Sequence, residues 1–189
     1  MQNFTAKHLK KLSKKSFELR QLIVDYTQKK SSFIGSCFSC LEILIYLYYY
    51  KYKLTNNDKF RDRFILSKGH AAPALYSILY DKKIISKSKF FSSQTYWHPN
   101  KDIKNIDFQT GALGHGLPIA AGMSIFYKKK NLNNKIIVII GDGELNEGSI
   151  WETFFIIQQW KLKNLIVIVD RNKFQANDKT TNIIHLKNQ

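Results

Sequence analysis

Two polar side chains follow two buried apolar runs of the sequence. Asp142 is reached at the end of the run KIIVIIG, and Asn172 follows the run NLIVIVD thirty residues later. Continuous β-branched runs are typical of parallel strands buried on both faces, and the carboxyl ends of such strands meet at one edge of a sheet. A carboxylate and an amide oxygen there, with a backbone carbonyl nearby, predict a site for Mg²⁺ or Ca²⁺ that holds a phosphate-bearing ligand.

The glycines on either side of Asp142 fit the same prediction. Gly141 and Gly143 allow the backbone to approach a ligand, and the amides that open the following helix favour negative charge. A Gly-Asp-Gly turn is also common without any function, because Asp often serves as a turn residue or a helix N-cap. From these residues alone both interpretations stay open.

Other residues could carry different chemistry. His70, His98 and His115 could form a zinc site, but the close pairing typical of such sites is missing. The segment 111–116 reads Gly-x-x-Gly-x-Gly, which is not the dinucleotide fingerprint and follows no clear strand, so a nicotinamide enzyme is disfavoured.

The two cysteines, Cys37 and Cys40, have no second pair to complete a metal site. We expect both to be small buried residues of a helix.

The elements that must position these residues alternate between helix and strand, which predicts an α/β fold with a parallel sheet. The predicted elements are an amphipathic helix over Thr5–Lys30, a helix over Ser39–Lys51 after a turn, a strand over Arg63–Ser67, a helix opening at Gly69, irregular chain over Ser86–Gln109, a helix from Gly114, and two strands joined by a crossover helix.

Length and composition bound the function. The 189 residues are enough for one domain, which we expect to span residues 1–189, and the net charge of +16 comes from 26 Lys and only 4 Arg. Scattered lysines with few arginines disfavour nucleic-acid binding, and the abundance of Lys, Ile, Asn and Phe is typical of drift toward A and T in the coding sequence. No apolar run can span a bilayer and no signal core is visible, so we expect no membrane partner and a cytoplasmic location.

Five motifs in order resemble the N-terminal region of transketolases, which binds the diphosphate of thiamine diphosphate. The motifs are SKGHAAPALYSIL (residues 67–79), HP (98–99), TGALGHGLPIAAGM (110–123), GDGELNEGSIWE (141–152) and VDRNKFQ (169–175). The resemblance implies the thiamine-diphosphate-binding fold, with a mostly parallel sheet flanked by helices, and a domain that is incomplete at its C-terminus relative to the family.

The resemblance also implies a role for each matched residue. The implied Mg²⁺ ligands are Asp142, Asn172 and the main-chain carbonyl of Phe174. The residues implied to contact the diphosphate are Gly143 and His70, and those against the aminopyrimidine are Gly111, Ala112 and Leu113. The residues implied to act in catalysis are His98, which handles the sugar, together with His70 and two acids that communicate across a dimer, Glu147 and Glu152.

The reaction implied is that of the pentose phosphate pathway transketolase, in which a two-carbon ketol unit passes from a ketose phosphate to an aldose phosphate. The glutamate that activates the cofactor belongs to a pyrimidine-binding domain in this family, so we expect a separate subunit to supply it, in an oligomer with homodimeric contact through the present domain. Phe33 stands where a substrate-contacting histidine is expected, and His185 lies too close to the second strand to be assumed equivalent to a later histidine of the family. Two alternatives therefore stay open: a degenerate or repurposed fragment without turnover, and a thiamine-dependent carboligase with another acceptor.

Overall fold

The computed structural model describes residues 5–51, 53, 60–175 and 178–180. None of the helices in these ranges is long and apolar enough to cross a membrane.

The chain divides into two compact units. The first combines Met1–Leu54 with His70–Ile106, and the second combines Thr55–Gly69 with Asp107–Gln189. The expectation of a single domain over residues 1–189 stays a prediction.

The first unit is built from helices. They are α1 (Ala6–Lys29), α2 (Ile34–Tyr46) with a π-helical turn after it (Leu47–Lys51), α3 (Ala72–Asp81) and the short α4 (Lys87–Phe90). Helices α1, α2 and α3 pack against one another, and Leu19, Ile23, Leu41 and Leu44 are fully buried in their core. Each such side chain contributes roughly 2 kcal/mol by leaving water.

Helix α1 confirms the amphipathic helix predicted from the sequence. At its start the backbone N–H of Thr5 donates to Nδ1 of His8 at 3.2 Å, and the Thr5 hydroxyl lies 2.8 Å from the same nitrogen. This reciprocal contact satisfies a backbone donor that the first helical turn leaves without a partner.

Helix α2 differs from the prediction at its N-terminus. It begins at Ile34, five residues before the predicted Ser39, and it ends at Tyr46, where the π-helical turn Leu47–Lys51 follows. The early start buries Cys37 on the packed face, so the segment predicted as a turn is drawn into the helix by tertiary packing. Both cysteines are buried thiols on α2, as predicted.

The second unit is built around a sheet of three parallel strands in the order β1 (Arg63–Leu66), β2 (Ile136–Gly141) and β3 (Leu165–Asp170). Helix α5 (Gly116–Lys129) precedes β2, and α6 (Gly148–Trp160) connects β2 to β3. This arrangement confirms the predicted strand–helix–strand unit and the α/β class.

One face of the sheet packs on the two helices. The core there contains Ile65, Leu117, Ala120, Tyr127, Ile136, Val138, Ile140 and Ile150. Alternate residues of β2, Ile137 and Ile139, are buried as well, which confirms that this strand is buried on both faces. The prediction of burial on both faces is wrong for β3, where Leu165 to Ile168 are half-buried and Val169 is exposed. Among the described strands β3 is an edge strand, which pairs with β2 alone.

A short hairpin follows β3. It pairs β4 (Phe174–Gln175) with β5 (Asp178–Lys179) in antiparallel register. His185, whose equivalence to a later histidine the sequence left unassigned, lies outside the described residues.

Candidate functional site

The carboxylate of Asp142 joins the ends of two neighbouring strands. The register pairs Gly141 of β2 with Asp170 of β3, so the turns after both strands emerge side by side. Asp142 is buried, and its Oδ1 accepts the N–H of Gly143 at 3.1 Å while its Oδ2 accepts the N–H of Lys173 at 2.7 Å. The predicted approach of the Gly-Asp-Gly turn to the turn after β3 is therefore present in the structure.

Asn172 shapes the second of these turns. Its Oδ1 accepts the backbone N–H of Phe174 at 2.8 Å, which forms an Asx-turn, and Lys173 between them takes a positive φ of 67°. Asn172 is half-buried, whereas the side chain of Phe174 is exposed. The turn thus holds an amide oxygen and a main-chain carbonyl beside the loop of Asp142.

The side chains suited to a metal at this edge are few. Nowhere in the described part of the chain do three His, Cys, Asp or Glu side chains cluster closely enough to hold a metal ion. A cation bound here would therefore combine one carboxylate with amide and carbonyl oxygens, a donor set typical of Mg²⁺ or Ca²⁺. Of the three histidines of the zinc alternative, His70 and His98 belong to the first unit and His115 to the second.

Glu144 is a buried carboxylate that sequence reasoning missed. Its Oε1 accepts the hydroxyl of Ser67 at 2.6 Å and the N–H of Gly114 at 3.0 Å, and its Oε2 accepts the N–H of Gly141 at 2.8 Å. Only 1% of the residue is exposed. The spacing Gly141-x-x-Glu144 is that of a helix N-terminal capping position, which is the signal that could have found it.

A buried ion pair at the same edge was also missed. Nζ of Lys68, just after β1, lies 2.5 Å from Oδ2 of Asp170 at the end of β3, and both side chains are almost fully buried. Breaking a buried ion pair by removal of one partner typically costs about 3–5 kcal/mol. Nothing in the local sequence signals this pair, because its members are 102 residues apart.

The loop before α5 is held in place by close backbone packing. Thr110 donates its hydroxyl to the carbonyl of Leu66, at the end of β1, at 2.5 Å. Gly114 takes a positive φ of 79°, and a Cβ there would lie 2.7 Å from the Cβ of Glu147. Between these two anchors Gly111 and Ala112, both predicted to contact a cofactor, are exposed.

Two further residues predicted to contact the cofactor, Leu113 and Gly143, lie next to closely packed residues. Leu113 is half-buried beside Gly114, whose carbonyl accepts the Ser149 hydroxyl at 2.9 Å. A Cβ on Gly143 would lie 2.9 Å from Cγ of Gln175. Only glycine therefore allows the Gly-Asp-Gly turn to pack on β4 without a shift.

In the first unit, His70 lies in a 3-10 turn (Gly69–Ala71) ahead of α3 and is half-buried. The ring of Phe33, 53% exposed, meets the His70 ring edge to face at 5.8 Å and the Trp97 ring at 5.7 Å. The position predicted to depart from the family is therefore an exposed aromatic residue in contact with a predicted site residue.

His98 lies exposed in the irregular segment after α4. Its carbonyl accepts the hydroxyl of buried Tyr76 at 2.6 Å, and the same hydroxyl oxygen accepts the N–H of Asn100 at 3.0 Å. Burial raises the pKa of Tyr76 to about 12. Tyr76 thus fixes the backbone on both sides of Pro99 and leaves the imidazole toward solvent.

The two predicted acids Glu147 and Glu152 are exposed, the first at the N-cap of α6 and the second on its outer side. Nearby on α6 the structure also exposes Trp151, Phe155 and Ile156. The acids therefore lie on a helix surface that is unusually apolar for a surface open to water.

Comparisons with known proteins agree with this arrangement. The family model for the transketolase thiamine diphosphate binding domain matches residues 13–187. An apulose-4-phosphate transketolase subunit from Phocaeicola vulgatus is 37% identical over 177 residues, which is 89% of this chain and 63% of that protein. Transketolase of Homo sapiens is 35% identical over 152 residues, covering 76% of this chain and 24% of its own length.

The fold gives the same result. The crystal structure of transketolase from Campylobacter jejuni superposes with a TM-score of 0.80 at 29% identity, over 94% of this chain and 30% of that one. The chain thus spans less than two thirds of the length of the Phocaeicola vulgatus relative and about a third of the solved transketolase. The resemblance found in the five motifs is confirmed, and the chain belongs to the transketolase family, of which it carries the thiamine diphosphate binding domain.

Proposed function

We propose that this chain is the N-terminal subunit of a split transketolase, which transfers a two-carbon ketol unit from a ketose phosphate to an aldose phosphate. The observation that carries the proposal is the buried Asp142 carboxylate, which bonds to the turn after β3 and so brings Asn172 to the Gly-Asp-Gly turn. The similarity to a protein named as a transketolase subunit, rather than as a whole transketolase, supports the split arrangement.

The proposed cation is Mg²⁺, or Ca²⁺, bound by Asp142, Asn172 and the main-chain carbonyl of Phe174. Each Asp142 oxygen accepts one backbone N–H, and the Asn172 oxygen accepts one as well. Carboxylate and carbonyl oxygens have two lone pairs each, so these atoms keep acceptor capacity for a cation. The donor set therefore fits the proposed ion.

Thiamine diphosphate, when bound, supplies the reactive carbon that carries the two-carbon unit. The residues proposed to contact it are Gly111, Ala112, Leu113, Gly143, Asn172 and His70. We assign to His98 the handling of sugar hydroxyls and protons, which suits an exposed imidazole on a loop fixed by Tyr76. The sugar phosphates of the pentose phosphate pathway are the proposed substrates.

The proposal includes two protein partners. A pyrimidine-domain subunit supplies the glutamate that activates the cofactor, and a second copy of this chain contacts the surface of α6 that carries Glu147 and Glu152. The apolar side chains exposed on α6 support the second contact. The cytoplasmic location expected from the sequence stays a prediction.

Binding of Mg²⁺ and thiamine diphosphate to Asp142→Ala tests the proposal. With the partner subunit present, the substitution removes the only charged ligand of the proposed set, so Mg²⁺-dependent affinity for the cofactor should fall by more than about a hundredfold. Isothermal titration calorimetry measures the affinity.

The matched control is Asp62→Ala. Asp62 is also buried and accepts a backbone N–H, that of Lys135 at 2.8 Å, but it lies at the opposite end of the strands, before β1. Its variant should lose stability and keep cofactor affinity. Equal affinities in Asp142→Ala and the unsubstituted protein would refute the metal assignment, and binding without any ketol transfer would favour the interpretation as a repurposed fragment.

A carboligase with another acceptor is the second candidate function. The observation that favours it is the exposed ring of Phe33 against His70, because a phenyl ring can neither donate nor accept a hydrogen bond to a sugar hydroxyl. An acceptor with fewer hydroxyl groups would lose no hydrogen bond by binding next to this phenyl ring.

A further inference from the structure

Three separate segments of the second unit end on one buried carboxylate. Ser67 follows β1, Gly114 precedes α5 and Gly141 ends β2, and all three donate to Glu144. The loops that continue from these donors carry the motifs proposed to hold the cofactor and its metal.

The Glu144 carboxylate is satisfied by neutral donors. Among the described residues no Lys, Arg or His forms an ion pair with it, and two of its three donors are backbone N–H groups. Hydrogen bonds to an ionised group are roughly twice as strong as neutral ones, and an unsatisfied backbone N–H in a buried place is costly. The carboxylate therefore fixes the direction of the backbone at Gly114 and Gly141 more firmly than a neutral side chain could.

The direction of the backbone at Gly141 decides where the next side chain points. Asp142 comes immediately after it, and its two oxygens reach Gly143 and Lys173. A change in the orientation of the Gly141 peptide would thus move Asp142, the proposed metal ligand. Glu144 would act on Asp142 through Gly141, because none of its own hydrogen bonds reaches the turn after β3.

We infer that Glu144 is a positioning residue that aligns the loops after β1, before α5 and after β2, and thereby sets the geometry in which Asp142 binds the cation. The predicted effect of Glu144 on cation binding rests on the proposed function. The predicted effect of Glu144 on the order of the loops does not depend on any ligand.

Glu144→Gln is the variant that tests it. One oxygen becomes an NH₂ group, so in either orientation a donor faces the N–H of Gly114 or that of Gly141, and at least one of these bonds is lost. The control is Asp62→Asn, because Asp62 is another buried carboxylate that accepts a backbone N–H, that of Lys135, but does so at the opposite end of the strands.

The first measurement is hydrogen–deuterium exchange of the chain without ligand. Glu144→Gln should raise exchange at residues 111–115 and 141–147 by about tenfold or more, whereas Asp62→Asn should leave both segments unchanged. Unchanged exchange in Glu144→Gln would overturn the inference whatever the protein binds.

The second measurement is the Mg²⁺ concentration that half-saturates cofactor binding, taken with the partner subunit present. Glu144→Gln should raise it by about ten- to a hundredfold, with kcat at saturating Mg²⁺ and cofactor unchanged within about twofold. A loss of kcat with normal metal affinity would overturn the positioning role. Altered exchange in a protein that binds no cofactor would refute the proposed function and leave the alignment of the loops established.

Should Glu144→Gln fail to fold, Ser67→Ala provides a milder variant, because it removes one donor and keeps the carboxylate. It should raise exchange at residues 111–115 and 141–147 by a smaller factor in the same direction. An increase in hydrogen–deuterium exchange that is confined to the residues around Ser67 would contradict the inference.

Discussion

At the scale of single residues, Phe33 departs from the family's motifs at a position beside His70, one of the proposed site residues. It occupies the N-cap of α2, where a phenyl ring cannot cap the helix, and half of its surface is exposed beside His70. A phenyl ring at this position therefore provides no cap for α2 and presents an apolar surface next to His70.

The substitution Phe33→His tests which acceptor the enzyme prefers. The imidazole adds a hydrogen-bonding group, so kcat/KM for an aldose phosphate acceptor should rise by on the order of tenfold relative to that for an aldehyde acceptor without hydroxyl groups. Coupled assays with both subunits give the two values, and Phe33→Leu, which stays apolar, is the control. An unchanged preference between the aldose phosphate and the aldehyde in Phe33→His would count against the carboligase alternative.

Single residues also show why part of the site could be predicted and part could not. Asp142 and Asn172 stand directly after β-branched runs, and that local pattern fixes both the strands and the edge where the side chains meet. The contact of Glu144 with Gly141 follows a local capping spacing, but its contacts with Ser67 and Gly114 and the pair of Lys68 with Asp170 join residues far apart in the chain, so no local pattern reveals those.

At the scale of elements, the strands and most helices follow from periodicity, whereas their ends and exposure do not. Helix α2 starts five residues early because packing of its buried face outweighs a weak turn signal. Strand β3 reads as a fully buried strand in sequence, yet among the described strands it pairs with β2 alone. An apolar run indicates that both faces of a strand favour burial. Only the tertiary structure shows whether other described elements bury them.

The segment that carries His98 has no regular secondary structure and is held in place by hydrogen bonds from neighbouring helices. Tyr76 clamps it from α3, and Tyr26 on α1 donates to the carbonyl of Thr95 at 2.5 Å. Lys30 also donates to the Thr95 carbonyl, at 2.9 Å. These hydrogen bonds replace the ladder of a helix or strand.

Alkaline unfolding of Tyr76→Phe tests the clamp. The unfolded chain loses the Tyr76 proton near its ordinary pKa of 10, whereas the folded protein holds it up to a pKa of about 12. Stability from this group is thus fully present below pH about 10 and is lost as the pH rises toward about 12. Tyr76→Phe should lower the free energy of unfolding by about 1 kcal/mol at neutral pH and reduce its decline at alkaline pH.

Urea unfolding followed by circular dichroism at several pH values measures both effects. Tyr96→Phe, an exposed residue of the same segment, should leave the free energy of unfolding and its pH dependence unchanged. A Tyr76→Phe protein with unaltered stability at neutral pH would show that the hydroxyl does not clamp the segment.

At the scale of the whole molecule, the exposed apolar surface of α6 bears on assembly. Trp151, Phe155, Ile156 and Trp160 recur along one side of the helix at spacings of one and four residues, and all are exposed. Exposed apolar stripes of this kind often mark protein contacts, and two-fold oligomers of a single chain are the commonest soluble assemblies, so the stripe supports the contact proposed above. Phe155 is the most exposed of the four, at 71%.

Phe155→Glu should therefore weaken the proposed association between copies of this chain, because it would place a charge within the proposed apolar contact. We expect the dissociation constant of the dimer to rise by on the order of thirtyfold. Sedimentation equilibrium over a range of concentrations, with and without the partner subunit, measures it. The matched control is Phe17→Glu, since Phe17 on α1 is 73% exposed and lies outside the proposed contact. Should Phe17→Glu dissociate the dimer while Phe155→Glu does not, the contact between copies lies on α1 rather than α6, and the proposed role of Glu147 and Glu152 between two sites would fall with it.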